Sequence, residues 1–370
     1  MIVNATSWLF ALIPKIKGQV VFFGPTHNKY ADNVRYLFEY ISLNDDCIKI
    51  YWITNDSIIE KYLKDHDFNC IRKNTFRAFF IYITAEYLVS GETIPPRLYA
   101  INNIRAKKIC TSHGFGPRSI CASDGDIFKS NKQLFNGVQQ YDYYLFPTKY
   151  MANILGKLGY NFPRRKIIIA QQPRITNFQS QTSISHHIEE GIKIIYAPTW
   201  RRTRESALSL LTRLTNGDIN KLNSYLKEID ATISILSHPL SNNSFLGNGL
   251  SQISIINGPL VDATEKIFYA DILISDYSSL ITDAIAFNKK IGIFAPDYDE
   301  YQFVIGMNTF LKHDLPDSFI NTFDDFKSFI SSKGNSRIIE SYHEKFVGSE
   351  MDGRQHILEL IRSHSSVAKV

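Results

Sequence analysis

The chain has 370 residues and a formal net charge of +5. With 44% hydrophobic residues, 25 Phe and 20 Tyr, it carries far more core-forming side chains than a disordered chain holds. The 4 Cys form no CxxC pair and no metal-finger spacing, which argues against a disulfide scaffold and for a reducing compartment.

At roughly 100–200 residues per domain, the length suggests two domains. The charge is unevenly spread. Residues 1–180 hold 23 Lys and Arg against 13 Asp and Glu, a balance of +10, and the remainder is −5. A basic half points to an anionic partner or surface. No dense Lys/Arg tract and no nucleic-acid motif accompanies it, so nucleic acid is a poor candidate. No apolar stretch reaches the roughly 18 residues of a membrane span. The apolar start, Met1 to Pro14, lacks the basic leader and small-residue cleavage site of a signal peptide. Trp8, Leu9, Phe10, Leu12 and Ile13, followed by Lys15 and Lys17, read either as a short interfacial foot or as a helix docked on the protein's own body.

Short apolar runs then alternate with helical patterns. Gln19–Phe23 reads as a buried strand and Asn33–Ser42 as a helix. Cys47–Thr54, Glu86–Ser90, Lys107–Thr111 and Tyr143–Phe146 read as strands, and Tyr150–Leu158 as a helix. The polar stretch Gln171–Gly191 is the best linker candidate. The alternation restarts after it. Strands are expected at Lys193–Ala197, Ala231–Leu236, Ile253–Ile256, Asp271–Ser275 and Ile291–Phe294. Helices are expected at Asp218–Ile229, Ala263–Tyr269, Ser278–Phe287, Phe323–Ser332 and Asp352–Ser363. This pattern predicts an α/β chain of two Rossmann-like, doubly wound domains facing each other. The expected boundaries are 1–180, 181–345 and a closing helical segment 346–370, which could return to the first domain.

Ligands of open α/β sheets sit at the carboxyl ends of strands, so the residues just after strands carry the functional candidates. Four such places stand out. The first is Thr111-Ser112-His113-Gly114-Phe115-Gly116-Pro117-Arg118. Here His113 can act as a base near neutral pH, Gly114 and Gly116 allow close backbone approach, and Arg118 can pair with a phosphate. The second is Tyr196-Ala197-Pro198-Thr199-Trp200-Arg201-Arg202, with guanidinium groups suited to a diphosphate and a Thr199 hydroxyl able to donate. The third is Ser237-His238-Pro239. The fourth is Ser275-Asp276-Tyr277-Ser278-Ser279, where Ser278 and Ser279 open a helix whose free N–H groups favour an anion, with Asp283 further along it. The plain alternatives are a structural histidine, solvated basic turns and ordinary helix capping.

Together these residues resemble the CDP-glycerol glycerophosphotransferase family of teichoic-acid synthesis. The resemblance rests on His113-Gly114 with the following Pro, on Tyr196–Arg201 (YAPTWR), on His238-Pro239 and on Asp276–Ser279 (DYSS) with Asp283. The closing Phe346 and Asp352-Gly353-Arg354 support it, and it spans about residues 20 to 362. It implies a GT-B architecture with the donor domain C-terminal. It also implies a CDP-activated alditol donor, a lipid-linked or polymeric acceptor, and release of CMP. By the same resemblance His113 is the general base, and Arg201, His238, Ser278 and Ser279 bind the donor phosphates. Asp276 and Asp283 match acidic positions beside them. From the residues themselves, Thr199 is expected in the same donor site, and Gly114 and Arg118 are expected to contact the acceptor or its phosphate. The family commonly has His-Gly-Thr followed by Pro and Lys, so Phe115, Gly116 and Arg118 are departures. No acidic pair offers an obvious Mg²⁺ site, so no bound metal or other cofactor is expected. The expected location is cytoplasmic and peripheral, on an anionic membrane surface at the inner face of the cytoplasmic membrane, with the acceptor drawn to the basic half. The rival readings are a GT-B glycosyltransferase or epimerase using a nucleotide sugar, and a polymer-binding scaffold without activity.

Overall fold

The computed structural model describes residues 12–25, 29–92, 105–116, 132–181, 191–199, 206–237, 249–304, 311–332, 340–348 and 351–365. The chain divides into two compact units. One comprises Met1–His113, Asp124–Asn177 and Gly348–Val370, and the other Gly114–Ser123 and Phe178–Val347.

In the first unit seven strands form one sheet: β1 (Ile16–Phe23), β2 (Lys49–Thr54), β3 (Cys70–Arg72), β4 (Ala85–Ser90), β5 (Lys107–Cys110), β6 (Tyr143–Phe146) and β7 (Ile167–Ile169). Their order is β3-β2-β1-β4-β5-β6-β7, and every neighbouring pair is parallel. Parallel sheets are covered on both faces, which is why β1 ends in the apolar run Val20–Phe23 and is buried from Gly18 to Phe23. The strand order reverses between β1 and β4, so the crevice for a ligand opens beyond the ends of those strands. Phe22, Tyr30, Phe38 and Trp52 fill one side of the sheet. Tyr30 and Phe38 meet the Trp52 ring edge-on at 4.7 and 5.4 Å. Such pairs add about 0.5–1.5 kcal/mol each beyond burial.

The second unit holds β8 (Ile192–Ala197), β9 (Ala231–Leu236), β10 (Ile253–Ile256), β11 (Ile272–Ser275) and β12 (Lys290–Ile293) in the order β10-β9-β8-β11-β12, again all parallel. Its switch point lies between β8 and β11. Ile194, Leu211, Leu222, Leu226, Ile233 and Phe326 make up much of the core on one face of that sheet.

The predicted strands and helices stand within a few residues of their expected bounds. Three elements between Thr54 and Ala85 were not foreseen: a helix over Ser57–Asp65, the short strand β3 and a helix over Phe76–Thr84. The last has aromatic and β-branched residues that favour strands. It is nonetheless helical because Thr75 caps it, its hydroxyl accepting from Ala78 N at 3.1 Å, and because Ala78, Ile81 and Tyr82 share a buried face. The stretch read as a linker from Gln171 contains a helix over Pro173–Gln179 and a set of buried polar side chains. Polarity there marks an internal hydrogen-bond network instead of a solvated tether. The final helix, Gly353–Ser365, belongs to the first unit. It buries Ile357, Leu358 and Ile361, and Arg362 Nε pairs with Asp45 Oδ2 at 2.5 Å. Among the described residues no helix is long and apolar enough to cross a membrane.

Candidate functional site

In the first unit the chain leaves β5 at Cys110. Thr111 N donates to Ser90 O at 2.9 Å, which extends the β4–β5 ladder by one residue. Ser112 then takes φ +60°. That left-handed conformation costs a non-glycine residue about 1 kcal/mol or more, so surrounding contacts must hold it. Asn33, at the start of the helix after β1, does so. Its Nδ2 donates to Ser112 O at 2.9 Å and to Thr111 O at 3.2 Å. Thr111 and Ser112 are buried, whereas His113 emerges exposed. Burial pushes the neighbouring Cys110 thiol up to about 12, so it stays protonated and inert beside the motif.

The residues that follow, Gly114 to Gly116, are buried in the second unit. Thr282 Oγ1 donates to Phe115 O at 2.8 Å. Gly116 lies so close to the DYSS turn that a Cβ there would stand 2.5 Å from Ser279 Cα and 3.0 Å from Ser279 N. The Phe115-Gly116 departure therefore has a structural meaning. It lets the segment after His113 lie directly on the backbone of Ser279.

At the β8/β11 switch point of the second unit, Asp276 organises two loops at once. Its Oδ1 accepts from Thr199 N at 2.8 Å, Thr199 Oγ1 at 2.6 Å and Tyr277 N at 2.5 Å. Ser275 Oγ donates to Ala197 O at 2.6 Å, closing the same ring of contacts. The Thr199 hydroxyl proton is thus used within the protein, by buried Asp276. Ser278 and Ser279 are partly exposed, at the entrance of the helix Leu280–Ala286. The Ser278 hydroxyl accepts from Leu280 N at 3.3 Å, and Ser279 makes no side-chain cap. Asp283 is fully buried on that helix and accepts from Thr264 Oγ1 at 2.7 Å, which gives it a framework role. Arg118, Arg201, Arg202 and His238 lie outside the described residues, as do Trp8, Leu9 and Phe10.

Sequence reasoning missed Asn33, which lies 79 positions from Ser112. It also missed the work of Asp352-Gly353-Arg354. The Arg354 guanidinium pairs with the Asp352 carboxylate at 2.9 Å and donates to Asn177 Oδ1 at 3.2 Å. Apart from its membership of the resemblance, no local signal distinguishes that segment.

The sequence pattern of the CDP-Glycerol:Poly(glycerophosphate) glycerophosphotransferase family matches residues 6–355. A teichoic acid poly(glycerol phosphate) polymerase of Staphylococcus epidermidis is 24% identical over 74% of the chain, which spans 39% of that protein's length. A teichoic acid glycerol-phosphate transferase of Staphylococcus aureus is 24% identical over 79% of the chain and 78% of its own length. Among solved structures, the wall teichoic acid polymerase TagF superposes with a TM-score of 0.73 at 19% identity, covering 98% of this chain and 94% of that one. S. aureus MnaA solved with UDP superposes at 0.57 and 12% identity, covering 96% and 98%. At these identities the structural likeness speaks for the fold alone, which is of the GT-B type that the sequence resemblance implies. With the family pattern running over nearly the whole length, the chain belongs to the CDP-glycerol:poly(glycerophosphate) glycerophosphotransferase family.

Proposed function

We propose that this protein transfers a phospho-alditol, glycerol phosphate in the first instance, from a CDP-activated donor to a hydroxyl of a lipid-linked or growing cell-surface polymer. The observation that carries this reading is the gathering of Thr199, Asp276, Ser278 and Ser279 at the switch point of the second sheet, in a chain of this family. The acceptor oxygen attacks the β-phosphorus, the one bearing the alditol. A new P–O bond forms, the bond to the bridging oxygen breaks, and CMP leaves with that oxygen. The acceptor proton passes to the His113 imidazole. Positioning and charge neutralisation supply the rest. Arg201 and His238 neutralise the donor phosphates, and Ser278 and Ser279 donate to them. Gly114 and Arg118 contact the acceptor or its phosphate. Asp276 holds Thr199 in place after β8, and Asp283 anchors the serine helix from within.

Calorimetric titration tests the donor class. CDP-glycerol is expected to bind and UDP-N-acetylglucosamine is not. Binding of the sugar nucleotide with no binding of CDP-glycerol would transfer the protein to the nucleotide-sugar enzymes.

The acceptor's lipid anchor requires a membrane-facing surface, and the helix Phe76–Thr84 fits that need. Phe76, Phe79 and Phe80 share one face at i, i+3 and i+4. Phe76 is 95% exposed and Phe80 58%. Exposed Arg72, Lys73 and Arg77 surround them. Lys15 Nζ reaches the last turn of the same helix at Ile83 O, 2.7 Å away. Burial, then repulsion from Arg105 and Lys108, lowers Lys15 to about 8. Apolar rings among cations suit an anionic bilayer. Each nearby Lys or Arg contributes about 1 kcal/mol there, and a buried Phe side chain about 1.5–3 kcal/mol. Phe76→Ser with Phe80→Ser is expected to lower co-sedimentation with phosphatidylglycerol vesicles by about tenfold or more. Undiminished sedimentation would remove this helix from the membrane contact.

A further inference from the structure

We infer that Asn33 is the positioning residue for His113, and that the cluster Asp32, Gln172 and Arg174, buttressed by Asp352-Gly353-Arg354, exists to hold Asn33 in place. The inference rests on the reading of His113 as the proton acceptor, and it adds the device that aims it.

The left-handed turn at Ser112 presents two successive carbonyls, those of Thr111 and Ser112, on one side of the chain. Asn33 meets both with one carboxamide nitrogen, and that nitrogen also reaches Gln172 Oε1 at 3.1 Å. Its carboxamide oxygen accepts from Arg174 N at 3.2 Å, so each end of the group is used. The group is fully buried. A carboxamide carries two donor hydrogens on its nitrogen and an acceptor oxygen at its other end, which this arrangement uses. An aspartate of the same shape would place a second oxygen against two carbonyls. An apolar plug would fill the space with less desolvation but would leave both carbonyls without a donor.

The parts around Asn33 lock it. Asp32 takes φ +70°, and its Oδ1 accepts from Asn33 N at 2.7 Å. The same oxygen pairs with Arg174 NH1 at 2.5 Å, and the Arg174 side chain is only 2% exposed. Gln172 is held by its neighbour, since Gln171 Oε1 accepts from Gln172 N at 2.9 Å. Gln171 in turn is clamped by the closing segment. Its N–H donates to Met351 O at 2.8 Å, and it bridges to Asp352. A Cβ on Gly353 would stand 2.2 Å from Gln171 O, so glycine is required there by close approach. Arg354 ties Asp352 to Asn177 on the helix that carries Arg174. A continuous chain of hydrogen bonds and close contacts therefore runs from the closing Asp-Gly-Arg segment to the residue before His113, all within the first unit. Inside the protein such hydrogen bonds are electrostatically stronger than in water.

The test compares wild type, Asn33→Asp and Leu63→Ala, the last a core truncation on the helix Ser57–Asp65 that serves as a control for lost stability. Two readouts are taken on the full chain. One is turnover of CDP-glycerol, and the other is the rate at which diethyl pyrocarbonate modifies His113, followed on its peptide by mass spectrometry. A misplacement of about 1 Å costs about 10²-fold in rate, so Asn33→Asp is expected to lose about that much kcat with the donor KM nearly unchanged. His113 modification should change several-fold, and Leu63→Ala should move neither. If Asn33→Asp does not fold, Asn33→Ser, which keeps a single donor, takes its place. Matching kcat and matching His113 modification in the Asn33 and Leu63 variants would overturn the inference. Should wild type release no CMP from any CDP-alditol, the proposed activity fails. The modification rates then decide the positioning alone: a several-fold change upholds it and equal rates overturn it.

Discussion

Replacing His113 by Ala is expected to lower CMP release by about 10²–10⁴-fold, the usual worth of a placed general base, while CDP-glycerol binds nearly as before. Two features of the structure give this its direction. His113 is exposed after β5, and the buried turn beneath it, Thr111 and Ser112, is held by Asn33. The groups expected to hold the donor belong to other strand ends, after β8 and β11. Removing an imidazole that accepts a proton should therefore leave donor affinity alone. Arg201→Ala and His238→Ala should do the reverse. Each removes a charge-assisted hydrogen bond worth about 1.5–3 kcal/mol, so the donor Kd should rise about 10- to 100-fold. A His113→Ala variant that loses donor affinity in step with rate would reassign His113 to phosphate binding. An unchanged Kd in both other variants would remove Arg201 and His238 from the donor site.

Gly116→Ala is the second large effect. A new Cβ at 2.5 Å from Ser279 Cα meets backbone, which cannot swing aside as a long side chain can. The segment must then move off the DYSS turn, stretching the bond between Thr282 Oγ1 and Phe115 O. Displacement of about 1 Å predicts roughly 10²-fold lower kcat/KM. Gly217→Ala is the matched control. Gly217 has φ +94° and nothing within 4 Å of its would-be Cβ, so alanine there suffers strain without a clash. It should cost about 1–2 kcal/mol of stability and leave turnover intact. Normal turnover by Gly116→Ala would mean that the close approach to Ser279 has no part in the chemistry.

Much of the architecture was legible because buried parallel strands announce themselves. Runs such as Gln19–Phe23 and Ala231–Leu236 need no partner to be recognised, and strand ends follow from them. The candidate residues were chosen by that route, since ligands of such sheets sit where strands stop. What stayed hidden has a common cause. Asn33, Gln172 and Arg174 look like surface residues by type, and their burial depends on partners up to 142 positions away, which no local window contains. For the same reason the helix Pro173–Gln179, inside the stretch Gln171–Gly191 read as a linker, was not expected. Phe76–Thr84 was passed over because its composition speaks for a strand, whereas the Thr75 cap and the buried stripe decide for a helix. Asp283 carried an expectation from its place on the helix and from the resemblance, and neither tells that it is buried against Thr264.

The central claim is the transfer itself, and the most direct measurement follows both products of one reaction. Purified protein is mixed with CDP-glycerol and a lipid-linked acceptor, with nucleotides resolved by chromatography and the acceptor by mass spectrometry. The account predicts CMP in equal amount to acceptor that has gained glycerol phosphate. No CMP from any CDP-alditol, with UDP or CDP released from a sugar nucleotide instead, would contradict it.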